Sequence, residues 1–263
     1  MSKLGLVLGA VGARGVAHLG LLQALEEINL QPDLVVGCSM GAIVGALYCM
    51  GKSSNELKEY VGKIKKKDVV DITLKLVSNK ALLKSEKIDK IFEELFGDVT
   101  FEDLKIPFYC VANDILNCKE VFFGSGKLKD AVRASIAIPT VIKPVEMDGM
   151  VLIDGGAVNR LPIGYARQMG ADKVIAMDVV GRNRRAVKIK TVFDIALRCL
   201  DCLDGYITDI KLKENPADVL LCPDLGEMSP YRFNDIDLAP RIGYECAMQQ
   251  IEEIKKLRGV ENA

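Results

Sequence analysis

Two strand–turn–helix units follow one another in the first fifty residues, and they restrict the chain more than any other feature. Leu4-Gly-Leu-Val-Leu8 is short, apolar and closed by glycines, so it reads as a buried strand. The loop Gly9-Ala10-Val11-Gly12-Ala13-Arg14-Gly15 follows it, and Val16 to Ile28 has helical periodicity. Asp33-Leu-Val-Val36 is a second strand of the same kind, and Ala42 to Met50 a second helix. Strands apolar on both faces that alternate with helices predict a parallel sheet covered by helices.

The rest of the chain extends that pattern. Ile106 to Ile115, Glu120 to Phe123, Val151 to Ile153, Lys173 to Val179 and Val219 to Cys222 read as further strands. Helices are expected over Leu128 to Ala134, Pro162 to Met169, Val192 to Leu212 and Arg241 to Leu257. Residues 52–90 differ: they hold eleven Lys against six Asp plus Glu, a local charge of +5. A helical cap or insertion over the sheet, spanning 52–98, is the expectation there. With 263 residues, no repeats and no low-complexity linker, a single α/β domain over 1–263 is the economical reading.

Composition excludes several classes. A formal charge of −1 gives no reason to expect nucleic acid as the main partner, and the absence of Trp weakens any case for a base-stacking platform. The eight cysteines include one close pair, Cys199-x-x-Cys202, inside an apolar helical run, with no second pair at zinc spacing. Most read as small buried hydrophobes of a reducing compartment, so no metal site is expected. No leader and no run of ~18 uncharged apolar residues is visible, so a cytoplasmic protein with at most peripheral membrane contact is expected.

The strongest chemical signal is Gly37-Cys38-Ser39-Met40-Gly41, placed between a buried strand and a helix. That context is what a nucleophile elbow needs: the glycines permit a sharp turn that exposes Ser39 above the sheet edge, at a helix N-terminus. A serine needs a base, and the chain contains one histidine, His18, which precedes Ser39. A Ser…Asp…His order cannot be built, and His18 reads as a helix-packing residue. Asp154, in Val151-Leu-Ile-Asp154-Gly155-Gly156, is the alternative base, delivered at a strand end. Spacing alone leaves two readings of Asp154 open, because Asp-Gly-Gly is also ordinary turn chemistry. The Gly9–Gly15 loop lacks the Gly-Lys-Ser/Thr of a P-loop and the G-x-G-x-x-G of a dinucleotide site. Its better use is an oxyanion loop, with Gly9, Ala10, Val11, Gly12, Arg14 and Gly15 as the candidate residues.

Together these blocks resemble the patatin-like phospholipase family, in particular its compact microbial members. The resemblance rests on Ala13-Arg14-Gly15 with Ala17-His18-Leu-Gly20, on Gly37-x-Ser39-x-Gly41, on Ala134-Ser-Ile-Ala-Ile-Pro139 with Pro144-Val145, and on Asp154-Gly155-Gly156 with Asn159 and Pro162. It implies a three-layer α/β/α sandwich with a mostly parallel central sheet. It implies Ser39 as nucleophile, Asp154 as single base and the loop's N–H groups as oxyanion hole. Lipid ester substrates, hydrolysed without metal or cofactor, would follow. The sequence departs from the family at Ala10 and Val11, where glycines are usual. A β-carbon there is a strain problem if φ is positive.

A lipid substrate implies a docking surface. Lys63 with Lys65–Lys67, and Arg182, Arg184, Arg185, Lys188 and Lys190, are the basic clusters available for one. The apolar residues around 69–95 are the expected wall of an acyl channel. Two other readings stay open: a catalytically impaired lipid-binding or regulatory protein on the same fold, and an acyltransferase or thioesterase using the same dyad. Head group, chain length and oligomeric state are not legible.

Overall fold

A computed structural model describes residues 2–67, 82–139, 141–181, 189, 191–228 and 237–259. The first strand, β1 (Leu4–Leu8), is wholly buried. Its Leu4, Leu6 and Leu8 enter one core and Val7 the other, so the strand is apolar on both faces because helices cover both. Among the described residues the sheet has eight strands, and β1 pairs in parallel with β2 (Leu34–Cys38) and β7 (Lys173–Met177). β2 pairs in parallel with β3 (Phe108–Asp114), and β7 with β8 (Val219–Leu221). β4 (Lys119–Phe123) and β6 (Met150–Asp154) pair antiparallel with β3, and β5 (Val145–Met147) with β6. A parallel centre thus carries an antiparallel margin.

The larger core lies under α1 (His18–Glu27), α2 (Met40–Cys49), α3 (Ser54–Lys67), α4 (Leu82–Phe96) and α5 (Leu128–Ser135). The last helices, α8 (Leu238–Gln249) and α9 (Ile251–Lys256), close the same side. The opposite face packs on α6 (Ile163–Gln168) and the end of α7 (Val192–Glu214). These are the three layers expected. Within the expected cap, Leu57, Ile88, Phe92 and Phe96 are buried in the main core, while 68–81 lie outside the described residues.

Three local differences have plain causes. β5 is a strand beyond those expected, and its hairpin with β6 turns on Asp148 and Gly149, at φ 50° and 74°. Two consecutive left-handed residues make the tight turn that suits strand twist, and Asp-Gly is its usual sequence. The first helix begins as a 3₁₀ turn over Gly12–Ala17 before α1. The expected closing helix is broken at Gln250, whose φ of −116° is not helical.

The register around β3 sets the geometry of everything that follows. β2 covers Phe108 to Val111, while β4 covers Cys110 to Asp114 and so must hold the other edge. β6 covers Ala112 to Asp114 and therefore shares the edge of β2. β2 runs up that edge to Cys38 opposite Val111, and β6 runs down it to Asp154 opposite Ala112. Their carboxyl ends meet head to head.

α1 and α8 cross at Gly20 and Gly243, where a Cβ on either would overlap backbone atoms of the other segment. Gly20→Ala or Gly243→Ala is expected to lower the thermal midpoint by roughly 5 °C or more, read by circular dichroism, because backbone rather than a side-chain tip must yield.

Candidate active site

The turn between β2 and α2 is forced by its small residues. A Cβ at Gly37 would lie 2.5 Å from the Gly41 carbonyl oxygen, and one at Gly41 would overlap the Leu8 carbonyl. Ser39 between them has φ 55° and ψ −121°, a conformation that non-glycine residues adopt only under constraint. The constraint places Ser39 at the N-terminus of α2, where backbone N–H groups face outward.

The head-to-head strands bring Asp154 to this serine. Ser39 Oγ donates to Asp154 Oδ2 at 2.6 Å, and the pair is almost fully buried. Asp154 Oδ1 accepts from the Gly156 N–H at 2.7 Å, so each carboxylate oxygen has a donor. Burial pushes the Asp154 carboxyl up from 3.8 to about 6, and the two hydrogen bonds pull the other way without cancelling it. Gly155 and Gly156 are required for the approach: a Cβ would meet the Val111 carbonyl oxygen at 2.6 Å and Asp154 Oδ1 at 3.0 Å respectively.

The segment after α5 fastens both partners. Ser135 Oγ accepts the Ser39 N–H at 3.0 Å, and the Ala137 carbonyl accepts the Asp154 N–H at 3.0 Å. Ile138 and Pro139 continue into the wall of the pocket above Ser39. The block Ala134–Pro139 was visible in the sequence, but its physical task, holding two backbones at one distance, was not.

The Gly-rich loop divides into two halves. Gly9 and Ala10 donate their N–H groups to the carbonyls of Met177 at 3.1 Å and Arg160 at 2.9 Å. Val11 and Gly12 line the pocket with Ser39, and they stand at the start of a 3₁₀ turn, where N–H groups have no intrahelical partner. Gly12 has φ 47°, Val11 has φ 159° with ψ 92°, and Ala10 has no positive φ. The left-handed position at Gly12 has kept its glycine, and Ala10 does not need one. Arg14 turns away and donates through Nε to the Met228 carbonyl at 2.8 Å, and Gly15 packs against Met40.

His18 is buried, and its Nε2 lies 2.8 Å from the Gly9 carbonyl oxygen. A carbonyl only accepts, so Nε2 carries the proton and the partnerless Nδ1 is bare. Burial lowers its pKa to about 4, which keeps the ring neutral. It braces the loop.

Three acidic residues and an arginine were not anticipated. Arg160 donates to Asp178 at 3.0 Å and Asp204 at 2.5 Å, all three buried. Leu200, Asp201 and Asp204 of α7 line the pocket together with Ala10, Val11, Ser39 and Asp154. Burial raises the carboxyls of both Asp201 and Asp204, the latter to about 6. An Arg and an Asp forty-four positions apart give no sequence signal of contact. The basic clusters Lys63 to Lys67 and Arg182 to Lys188, with Lys190, have side chains outside the described residues, as does the 69–81 part of the expected channel wall. Ile88 and Phe92 from its remainder face the core, not this pocket.

A family model for patatin-like phospholipases matches residues 6–167. The chain belongs to that family. Neuropathy target esterase sws of Drosophila melanogaster is 31% identical over 97% of this chain, which spans 17% of that protein. Lysophospholipase nte1 of Aspergillus fumigatus is 32% identical over 95% of the chain and 18% of its own length. An uncharacterised NTE family protein of Mycobacterium tuberculosis is 38% identical over 68% of this chain and 49% of its own. The chain thus spans less than half the length of these curated relatives. VipD from Legionella pneumophila shares the fold at TM-score 0.54 and 14% identity, covering 95% of this chain and 67% of VipD.

If Asp154 must be ionised to take a proton, kcat/KM for a soluble ester rises with pH through about 6 and levels above it. The same shift carries a stability sign. A carboxyl raised in the folded state stabilises it below the unfolded pKa near 3.8, and that contribution is lost as pH climbs through about 6. Asp154→Asn is therefore expected to raise the thermal midpoint by a few degrees (roughly 2–5 °C) at pH 8 and by less at pH 4, measured by calorimetry.

Proposed function

We propose that the chain is a lipid acyl hydrolase that cleaves carboxylic esters through an acyl-serine intermediate, with Ser39 as nucleophile and Asp154 as its only base. The observation that carries this reading is the 2.6 Å hydrogen bond between the two buried side chains. A carboxylate accepts a serine proton usefully only if its basicity is lifted, and burial has done so here. The names of relatives, an esterase and a lysophospholipase, agree with ester chemistry on lipids.

The reaction needs few parts. Ser39 Oγ attacks the ester carbonyl carbon as its proton passes to Asp154 Oδ2. The carbonyl oxygen becomes an oxyanion beside the N–H groups of Val11 and Gly12, which line the pocket at the start of the 3₁₀ turn. The α2 N-terminus adds its dipole. As the C–O bond breaks, the leaving alcohol takes the proton from Asp154. Water then attacks the acyl-serine, giving up a proton to Asp154; the bond from the acyl carbon to Ser39 Oγ breaks, Oγ takes that proton back from Asp154, and the fatty acid departs. Gly9 and Ala10, with N–H groups already used, act by holding the loop to β7 and to Arg160. An impaired scaffold is the rival suggested by Ala10 and Val11: Ala10, with no positive φ, gives it no support, and a folded protein that a fluorophosphonate fails to label would favour it.

Purified protein is expected to turn over p-nitrophenyl butyrate and to be labelled by a fluorophosphonate. Ser39→Ala should abolish labelling, and Ser39→Ala and Asp154→Asn should each cost about 10⁴-fold or more in kcat. Gly12→Ala, which puts a Cβ at φ 47°, should cost ~10²–10³ in kcat with little change in KM. A folded wild type that neither labels nor turns over the ester would sink the proposal.

A further inference from the structure

The long helix α7 turns polar residues inward and an apolar stripe outward over part of its length. Its protein-facing side holds Asp204, 8% exposed and bound to Arg160, and Thr208, 3% exposed. Its outward side holds Val192, Ile195, Leu203, Tyr206 and Ile210, which are 48% to 83% exposed. With exposed Cys199 they recur at intervals of 3, 4, 4, 3 and 4 residues, a continuous stripe about 27 Å long with no charge in it. Scattered exposed hydrophobics need no explanation, but an ordered stripe on one helix marks a surface made to be covered.

Position says what covers it. The inner side of α7 gives Leu200, Asp201 and Asp204 to the wall of the pocket over Ser39. The β3–β4 hairpin is tied to the helix by the ion pair of Lys211 with Glu120, and its tip exposes Ile115 and Leu116. That tip projects from the carboxyl end of β3, past the level of Cys38 and so on the same sheet edge as Ser39. We propose that the outward face of α7 docks on an uncharged lipid surface, so that an ester leaving that surface enters the pocket around the helix. This rests on the acyl hydrolase reading for the choice of occupant. A second copy seated on the stripe would stand between the pocket and its lipid, whereas a bilayer seated there supplies it. Because the stripe carries no charge, the attachment is hydrophobic and insensitive to salt.

The test separates docking from chemistry by using two preparations. The Ser39→Ala protein, which lacks only the serine hydroxyl, is sedimented with phosphatidylcholine vesicles at low salt and at about 1 M salt, where surface charges are screened beyond ~3 Å. Binding is expected at both. Combined Leu203→Glu, Tyr206→Glu and Ile210→Glu should weaken it at least about tenfold. The same triple change in the wild type should lower hydrolysis of vesicle-borne ester by a similar factor and leave hydrolysis of soluble p-nitrophenyl butyrate unchanged. Leu203→Ser with Tyr206→Ser is a milder pair, expected to give a smaller loss in the same direction, and thermal melts check that each variant folds. Unchanged vesicle binding in the folded variants overturns the proposal. So does binding that needs anionic phosphatidylglycerol and vanishes with salt, or a stripe whose loss converts a dimer to a monomer while vesicle binding persists. If wild type proves inert on the soluble ester while the stripe still governs vesicle binding, the docking surface stands and the hydrolase reading falls.

Discussion

The contact between Ser39 and Asp154 exists because one edge of β3 is shared by two strands that run towards each other. Each strand alone would end in a loop with no particular partner. Sharing an edge fixes both ends against consecutive residues, Val111 and Ala112, so the separation of the two side chains is set by backbone register and not by loop packing. The antiparallel margin is therefore a requirement of the site. A sheet continued in parallel beyond β3 would deliver a strand's amino end to that place, and Asp154 sits at a carboxyl end. Small residues then let the parts close: Gly41 against β1, Gly155 against β3.

The site is assembled from locally unfavourable pieces. A left-handed serine costs on the order of 1–3 kcal/mol, and a buried carboxylate resists ionisation. Neither would persist on a mobile loop. What offsets them is the wholly buried β1 on one side of β2, the largely buried β3 on the other, and a second tier of hydrogen bonds from Ser135 and Ala137, which fix the backbones of the two residues rather than their side chains. Arg160 extends that tier: its carbonyl holds Ala10, and its guanidinium joins the end of β7 to α7. One residue thus ties the loop, the sheet and the pocket wall together.

How much of this was legible depends on whether the signal is local. β1 and β2 were readable because continuous apolar runs bounded by glycine have few alternatives, and the elbow because Gly-x-Ser-x-Gly sits between such a run and a helix. The lone histidine could be set aside on chain order, and its burial on the Gly9 carbonyl gives it a bracing task instead. β5 was missed although Asp148-Gly149 announced its turn, because three residues are too few to show alternation. The Arg160 cluster and the inversion of α7 were not legible in principle. A helix with apolar residues at regular spacing is read as presenting them to the core, and nothing local says that Asp204 has an arginine waiting on the inner side.

The inward placement of Asp204 bears on Asp154, the base of the proposed reaction. Asp204 stands in the same pocket as Asp154, and its negative charge pushes the Asp154 carboxyl upward, adding to burial. Arg160 limits the effect, since a guanidinium 2.5 Å from Asp204 neutralises much of that charge locally. A base that must be ionised near neutral pH yet remain basic needs this compromise: enough burial to raise it, and enough compensation of its neighbours to keep it from staying protonated. With a histidine the compromise is unnecessary, because an unperturbed imidazole already titrates near 6.5. A carboxylate reaches the same range only through its surroundings, so under the proposed hydrolase reading the burial of Asp154 and the pairing of Asp204 would belong to the chemistry as much as to the fold.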